Sequence, residues 1–66
     1  MTEVRRLRES RIEWKTVTPE LFCVRFEDET ILLRLNEFPY ESLCTVILNG
    51  REVDLEVFPD SWSIVS

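Results

Sequence analysis

The only glycine of this 66-residue chain, Gly50, follows Asn49 between two runs of alternating apolar residues. Asn-Gly tolerates the two successive positive φ angles of a type I′ turn, so this dipeptide predicts a β-hairpin with a two-residue loop. Such a loop fixes the register of the hairpin. On one face it pairs Leu48 with Arg51, Val46 with Val53 and Cys44 with Leu55; on the other it pairs Ile47 with Glu52, Thr45 with Asp54 and Leu43 with Glu56.

A second reversal is predicted at Asp28-Glu29, between the apolar runs 21–27 and 30–35. A two-residue loop there gathers six large apolar side chains on one face, which a slip of one residue would destroy. The predicted pairs are Phe26 with Ile31, Val24 with Leu33 and Phe22 with Leu35. Residues 12–17 and 62–65 have the composition of two further short strands, and the loop 36–42 has room for one helical turn.

These runs predict an all-β domain, mainly an antiparallel meander of about five strands, folded as a small barrel or a strongly bent sheet. The alternative is an α+β fold in which a short N-terminal helix packs on the sheet, because Val4, Leu7 and Arg8 have helical spacing. The chain divides into a basic N-terminal arm (1–11), flexible or helical, and a single small β domain (12–66). The predicted core consists of Trp14, Phe22, Val24, Phe26, Ile31, Leu33, Leu35, Val46, Val53, Leu55 and Val57.

Charge is distributed unevenly along the chain. Residues 1–15 hold five basic side chains against three acids, a charge of +2, while residues 16–66 hold three against ten, a charge of −7. An anionic body repels nucleic acid and anionic membranes, and it attracts basic partners. The N-terminus lacks the apolar run of a signal peptide, and no run is long enough to span a bilayer, so we expect a cytoplasmic location.

Composition argues against catalysis. The chain has no histidine, the commonest general base, and one glycine cannot build a phosphate-binding loop. We therefore expect no enzyme and no cofactor. Cys23 and Cys44 fall on opposite faces of the predicted sheet, so we expect neither a disulfide nor a metal site from them.

The most specific feature is an acidic row, Glu52, Asp54 and Glu56, which alternation places on one face of a strand. The predicted partner-binding surface consists of Leu43, Ile47, Glu52, Asp54, Glu56 and Phe58. An apolar pair rimmed by carboxylates is typical of a protein interface. Two other interpretations stay open: a solvated face that protects an edge strand, or a patch covered by the chain's own arm, with Val4 and Leu7 on the apolar pair.

The leading hypothesis is a small acidic protein-binding module that docks a basic protein through this face. Inhibitors and immunity or antitoxin-like proteins share its composition, which is an analogy only. The first alternative is a small-barrel nucleic-acid-binding protein that uses the basic arm with an aromatic residue. Its contacts would be Arg5, Arg6, Arg8, Arg11 and Trp14. The second alternative is a structural homodimer that pairs through an exposed edge strand.

Overall fold

A computed structural model describes residues 3–65 and shows one short helix and six strands. The elements are α1 (Val4–Glu9), β1 (Ile12–Thr18), β2 (Leu21–Phe26), β3 (Glu29–Leu35), β4 (Cys44–Leu48), β5 (Arg51–Leu55) and β6 (Trp62–Val65). The mainly β fold is confirmed, and the short helix agrees with the alternative that packs one on the sheet. Residues 1, 2 and 66 of the proposed division into arm and domain lie outside the described part of the chain.

The sheet has the strand order β5-β4-β3-β2-β1-β6. The first five strands form the predicted antiparallel meander. β6 does not continue it; it pairs in parallel with β1 at the other end of the sheet, with Ile12 opposite Trp62. The sheet is therefore mixed, and it has two edges, β5 and β6, instead of closing into a barrel.

Both predicted hairpins exist, but only one of them has the predicted register. The Asn49-Gly50 hairpin has the predicted register in all five pairs of the ladder, from Leu48–Arg51 to Cys44–Leu55. The other hairpin turns one residue earlier than predicted, at Glu27-Asp28, so Phe26 pairs with Glu29. This register differs by two residues from the predicted one. Because side chains alternate with a period of two, the same residues still face the core.

The connection between β5 and β6 shows why the sheet must bend. β5 and β6 both run in the same direction as β1. After β5 the chain must therefore travel back along the length of a strand. It must also cross the whole sheet from one edge to the other. In a flat sheet the crossing alone would need about 24 Å. The seven Cα–Cα steps from Leu55 to Trp62 reach at most about 25 Å when fully extended. The sheet curls so that the two edges approach, and residues 56–61 pass over the core.

The core lies between the concave face of the sheet, α1 and this connection. Its buried side chains are Leu7, Ile12, Trp14, Phe22, Ile31, Leu33, Cys44, Val46, Leu48, Leu55 and Trp62. Val24, Phe26, Leu35 and Val53 of the predicted core are partly buried against it. The placement of Val57 in the core is wrong: β5 ends at Leu55, and Val57 is 68% exposed in the connection.

Helix α1 is held by side chains from the far end of the chain. Six residues are too few for a stable isolated helix, so its stability depends on packing. Leu7 is completely buried in the core, and the indole Nε1 of Trp62 donates to the Leu7 carbonyl oxygen at 2.8 Å. Ser61 Oγ donates to the Arg8 carbonyl oxygen at 3.2 Å. The Leu7 carbonyl oxygen also accepts from Ser10 N–H at 3.3 Å, so Trp62 adds a second bond there, while Ser61 supplies a partner for a carbonyl group of the last helical turn.

Candidate functional site

The acidic row lies on the face of the sheet opposite the core, which we call the outer face. Ile47 is paired with Glu52, and Thr45 with Asp54. Since Cys44, Val46 and Leu48 point into the core, the alternating residues of β4 and their partners on β5 occupy the outer face. The predicted grouping of Ile47, Glu52 and Asp54 on one side of the hairpin is therefore present.

A chain of hydrogen bonds fixes the side chains beside this row. Arg34 Nε donates to Asn36 Oδ1 (3.2 Å), Asn36 Nδ2 donates to Thr45 Oγ1 (2.8 Å), and Thr45 Oγ1 donates to Asp54 Oδ1 (2.8 Å). Arg34 also approaches Glu52, with 3.5 Å between Nη2 and Oε1. Thr45 is only 1% exposed, so its hydroxyl is a buried junction that must be hydrogen-bonded on both sides. The network orients the Asp54 carboxylate.

The loop between β3 and β4 forms the opposite wall of a shallow polar groove of about 550 Å³. Glu41 N–H donates to the Glu37 carbonyl oxygen at 2.8 Å and closes this loop as a turn, so the loop does not form the helical turn for which its length left room. Ser42 Oγ donates to Glu56 Oε1 at 3.0 Å and joins this loop to the end of β5. The lining residues are Arg34, Asn36, Pro39, Tyr40, Glu41, Ser42, Thr45, Glu52, Asp54 and Glu56.

The groove keeps a strong negative charge. Four carboxylates and one guanidinium line it. Asp54 and Glu56 are bonded to hydroxyl groups, which hold the carboxylates in place without neutralising them. Tyr40, at the rim, is 92% exposed. An exposed aromatic ring beside several carboxylates is suited to bind a lysine or arginine side chain, because the ring face and the carboxylates both attract cations.

The apolar centre of the outer face differs from the predicted one. Leu32 of β3 is the cross-strand neighbour of Ile47, and both are half-buried. Leu43 lies just before β4 and is also half-buried; its carbonyl oxygen accepts a bond from Asn36 N–H, and the described ladder ends before the predicted Leu43–Glu56 pair. Leu32 and Ile47 also line a neighbouring shallow depression with Thr30.

Phe58 does not lie on the acidic face, and its predicted placement there is wrong. β5 ends three residues earlier, and the connection turns the ring toward the core, where it packs edge to face on Trp62 with ring centroids 5.5 Å apart. The arm does not cover the acidic row either. Leu7 enters the core from the concave side, and Arg6 forms an ion pair with Glu27.

The residues of the nucleic-acid alternative are not brought together. Trp14 is completely buried and packs against Trp62 with ring centroids 5.2 Å apart, so it is not available to stack on a base. Arg5 and Arg8 line a small cleft with Glu9, while Arg6 turns toward Glu27. Arg5 and Arg8 therefore lie together beside an acid, while Arg6 is directed elsewhere, and none of them joins Trp14 in one surface.

The cysteines lie where their alternation predicted. Cys44 is buried on the core face, and Cys23 is half-buried on the outer face, opposite Leu32. Burial raises the pKa of the Cys44 thiol above its ordinary value, and the charge of Asp54 raises this pKa further. Within residues 3–65, no group of three or more cysteine or carboxylate side chains is arranged to hold a metal ion.

Sequence reasoning missed Arg34, Asn36, Leu32 and Tyr40 as parts of this face. All four come from β3 or the loop after it, and β3 reaches β4 through eight residues without a defined turn signature. The pairing of Leu32 with Ile47 could not be derived from that loop. One signal was present, because the predicted Thr45–Asp54 pair puts a hydroxyl beside a carboxylate on a strand.

No family model, curated protein or solved structure matches this chain. Among the described residues, no helix is both long enough and apolar enough to cross a membrane.

Proposed function

We propose that this protein is a small interaction module that binds a basic protein segment through the acidic part of its outer face. The observation that supports this most is the groove between β5 and the loop 36–42, where uncharged hydroxyl groups orient the carboxylates of Asp54 and Glu56. Such carboxylates keep their charge and lose little side-chain entropy on binding a cation. Like the inhibitors and immunity proteins of similar composition, the chain would act by occupying its partner in the cytoplasm.

The arrangement has the parts of a protein interface on a small scale. Leu32 and Ile47 provide apolar area, Glu52 lies opposite Ile47, and Asp54 and the exposed Tyr40 line the polar groove to which Glu52 also belongs. Long-range attraction by the anionic body would raise the association rate, and burial of the apolar pair would slow dissociation. Association is therefore expected to weaken strongly with ionic strength.

The test compares two variants of equal net charge. One neutralises the acidic row (Glu52→Gln, Asp54→Asn, Glu56→Gln), and the matched control neutralises three exposed acids elsewhere (Glu13→Gln, Glu20→Gln, Asp60→Asn). Binding to short poly-L-lysine and poly-L-arginine is measured by calorimetry at low and physiological salt. We expect the row variant to lose most of its affinity and the control to keep it. Equal losses would show that only net charge matters and would remove the proposal.

A second candidate function is self-association through the edge strand β6. Ile64 and Val65 are both partly exposed there, and the four residues of β6 carry no charge. An uncharged, partly apolar edge is the type that pairs with another strand. Sedimentation of the protein and of an Ile64→Lys variant tests this, since a dimer of this kind must dissociate in the variant.

A further inference from the structure

Strand β5 ends the sheet, so one of its two edges has no strand beside it. The register of the Asn49-Gly50 hairpin decides which backbone groups point to that edge. With a two-residue turn, Leu48 and Arg51 exchange both of their hydrogen bonds, and the bonded pairs then alternate along the ladder. Val53 and Leu55 are therefore bonded to β4, whereas the N–H and C=O groups of Glu52 and Asp54 point away from β4.

The same two residues thus present both their backbone groups and their carboxylates to a partner. The backbone groups point sideways from the sheet edge, and the carboxylates stand on the outer face, about 7 Å apart along the strand. A strand that pairs with this edge would place its directly opposed side chains next to these carboxylates. The side chains of the partner segment that lie between these opposed positions would be on the core face of the sheet, beside the half-buried Val53.

From this geometry we infer that β5 accepts an extended segment of a partner by β-strand addition, and that the segment carries lysine or arginine at alternate positions with apolar residues between them. This inference rests on the proposed function and specifies its partner. Alternate basic side chains would meet Asp54 and Glu52, with Glu56 available to a third. Backbone hydrogen bonds would supply affinity, and the alternating pattern would supply specificity.

Protection of an edge against self-pairing is the simpler explanation of charges on an edge strand. The other edge argues against it here. β6 has no charged residue, although Ile64 is exposed, so the chain does not protect its edges in general. Acidic charge is concentrated on the edge whose outward backbone groups belong to the acidic residues. A second copy of β5 is a poor occupant, because pairing two such strands opposes carboxylate to carboxylate.

The experiment uses peptides that differ in pattern and backbone chemistry at constant charge. The first is an alternating Lys-Val-Lys-Val-Lys sequence, and the second is a block Lys-Lys-Lys-Val-Val sequence of the same composition. Two further versions of the alternating peptide carry N-methyl groups, either on the lysines or on the valines. In an antiparallel pairing, where directly opposed residues exchange both hydrogen bonds, lysine N–H groups would face β5 and valine N–H groups would face solvent, so methylation of the lysines alone should weaken binding by about tenfold.

A variant of the protein tests the other bond of the same pair, the one that Asp54 N–H would donate to the segment. Asp54→Pro removes the outward N–H without touching a β4–β5 bond, and Asp54→Ala removes the carboxylate alone. Circular dichroism and urea unfolding establish that each variant folds. The proline variant should bind the alternating peptide about tenfold more weakly than the alanine variant.

The outcomes separate the two proposals. Tighter binding of the alternating peptide, together with sensitivity to methylation at lysine only, supports strand addition. Equal binding of all four peptides that is lost when the acidic row is neutralised overturns strand addition and leaves the acidic docking face in place. Binding that is indifferent to the acidic row, or no binding of any peptide at low salt, overturns both.

Discussion

Trp14 and Trp62 pack edge to face in the core, yet their indole N–H groups have different environments. Nε1 of Trp62 donates to the Leu7 carbonyl oxygen, and Nε1 of Trp14 is buried without a partner among the described residues. A buried N–H without a partner costs free energy, whereas a bonded one contributes to stability. Two residues of the same type therefore differ in what their polar atom does for the fold.

Replacing each tryptophan with phenylalanine should reveal this difference. The volume removed is similar, but Trp62→Phe also removes the shorter of the two hydrogen bonds that the Leu7 carbonyl oxygen accepts, the other coming from Ser10 N–H at 3.3 Å. We expect Trp62→Phe to lower the free energy of unfolding by about 1–2 kcal/mol more than Trp14→Phe does. Urea unfolding followed by far-ultraviolet circular dichroism measures both. Equal losses would contradict the bond from Trp62 to the helix.

The two cysteines differ in reactivity for a reason that the sheet alternation provides. Cys44 is fully buried and its pKa is raised, so at neutral pH its thiol is both inaccessible and protonated. Cys23 is half-buried on the outer face. Because the thiolate is the nucleophile, native protein treated with iodoacetamide should be alkylated first at Cys23, with Cys44 modified only after unfolding. Peptide mass spectrometry follows both sites; faster modification of Cys44 would mean that the faces are assigned wrongly.

At the level of elements, the two hairpins use the same backbone turn with different residues. Glu27 and Asp28 have φ angles of 52° and 64°, and Asn49 and Gly50 have φ angles of 56° and 75°. Asn-Gly is the favoured sequence for this turn, so its register was predictable to the residue. Glu-Asp is not, which is why the sequence indicated a turn one residue later. The faces remained correct because the error in register was even.

Opposite substitutions in the two turns, one removing a glycine and one adding a glycine, test whether the turns share the same geometry. A Cβ added at Gly50 meets no atom within 4 Å, so Gly50→Ala should cost only the conformational penalty of a positive φ, about 1 kcal/mol. Asp28→Gly relieves the corresponding penalty at φ 64° and should stabilise the protein by about 0.5 kcal/mol. Asp28 is also exposed, so little else changes. Urea midpoints of the two variants should shift in opposite directions; a shift in the same direction would contradict the shared turn geometry.

The candidate site was predictable only as far as local sequence controls it. Ile47, Glu52 and Asp54 share a face because one short turn fixes their pairing. Their neighbours Leu32 and Arg34 come from β3, whose pairing with β4 depends on a longer loop and on the packing of the whole sheet. Local patterns specify strands and tight turns, whereas contacts across long loops are decided by tertiary packing.

For the whole molecule, the decisive feature is the return of the chain from one edge of the sheet to the other. The end of β5 is the point where alternation misleads, because residues 56–58 continue the strand pattern while the chain leaves the sheet. In an extended strand Val57 would point into the core and Phe58 would point outward. Because the chain leaves the sheet after Leu55, these roles are reversed: Phe58 packs on Trp62, and Val57 is exposed.

Adjacent alanine substitutions distinguish the two arrangements. Phe58→Ala removes a partly buried ring that packs against the core where the connection crosses it, so we expect a loss of about 2 kcal/mol in the free energy of unfolding. Val57→Ala removes only exposed methyl groups and should change it by less than about 0.5 kcal/mol. Thermal and urea unfolding compare the pair under identical conditions. A costly Val57→Ala with a neutral Phe58→Ala would mean that β5 continues through these residues, that the connection does not cross the core, and that the bend of the sheet has another cause.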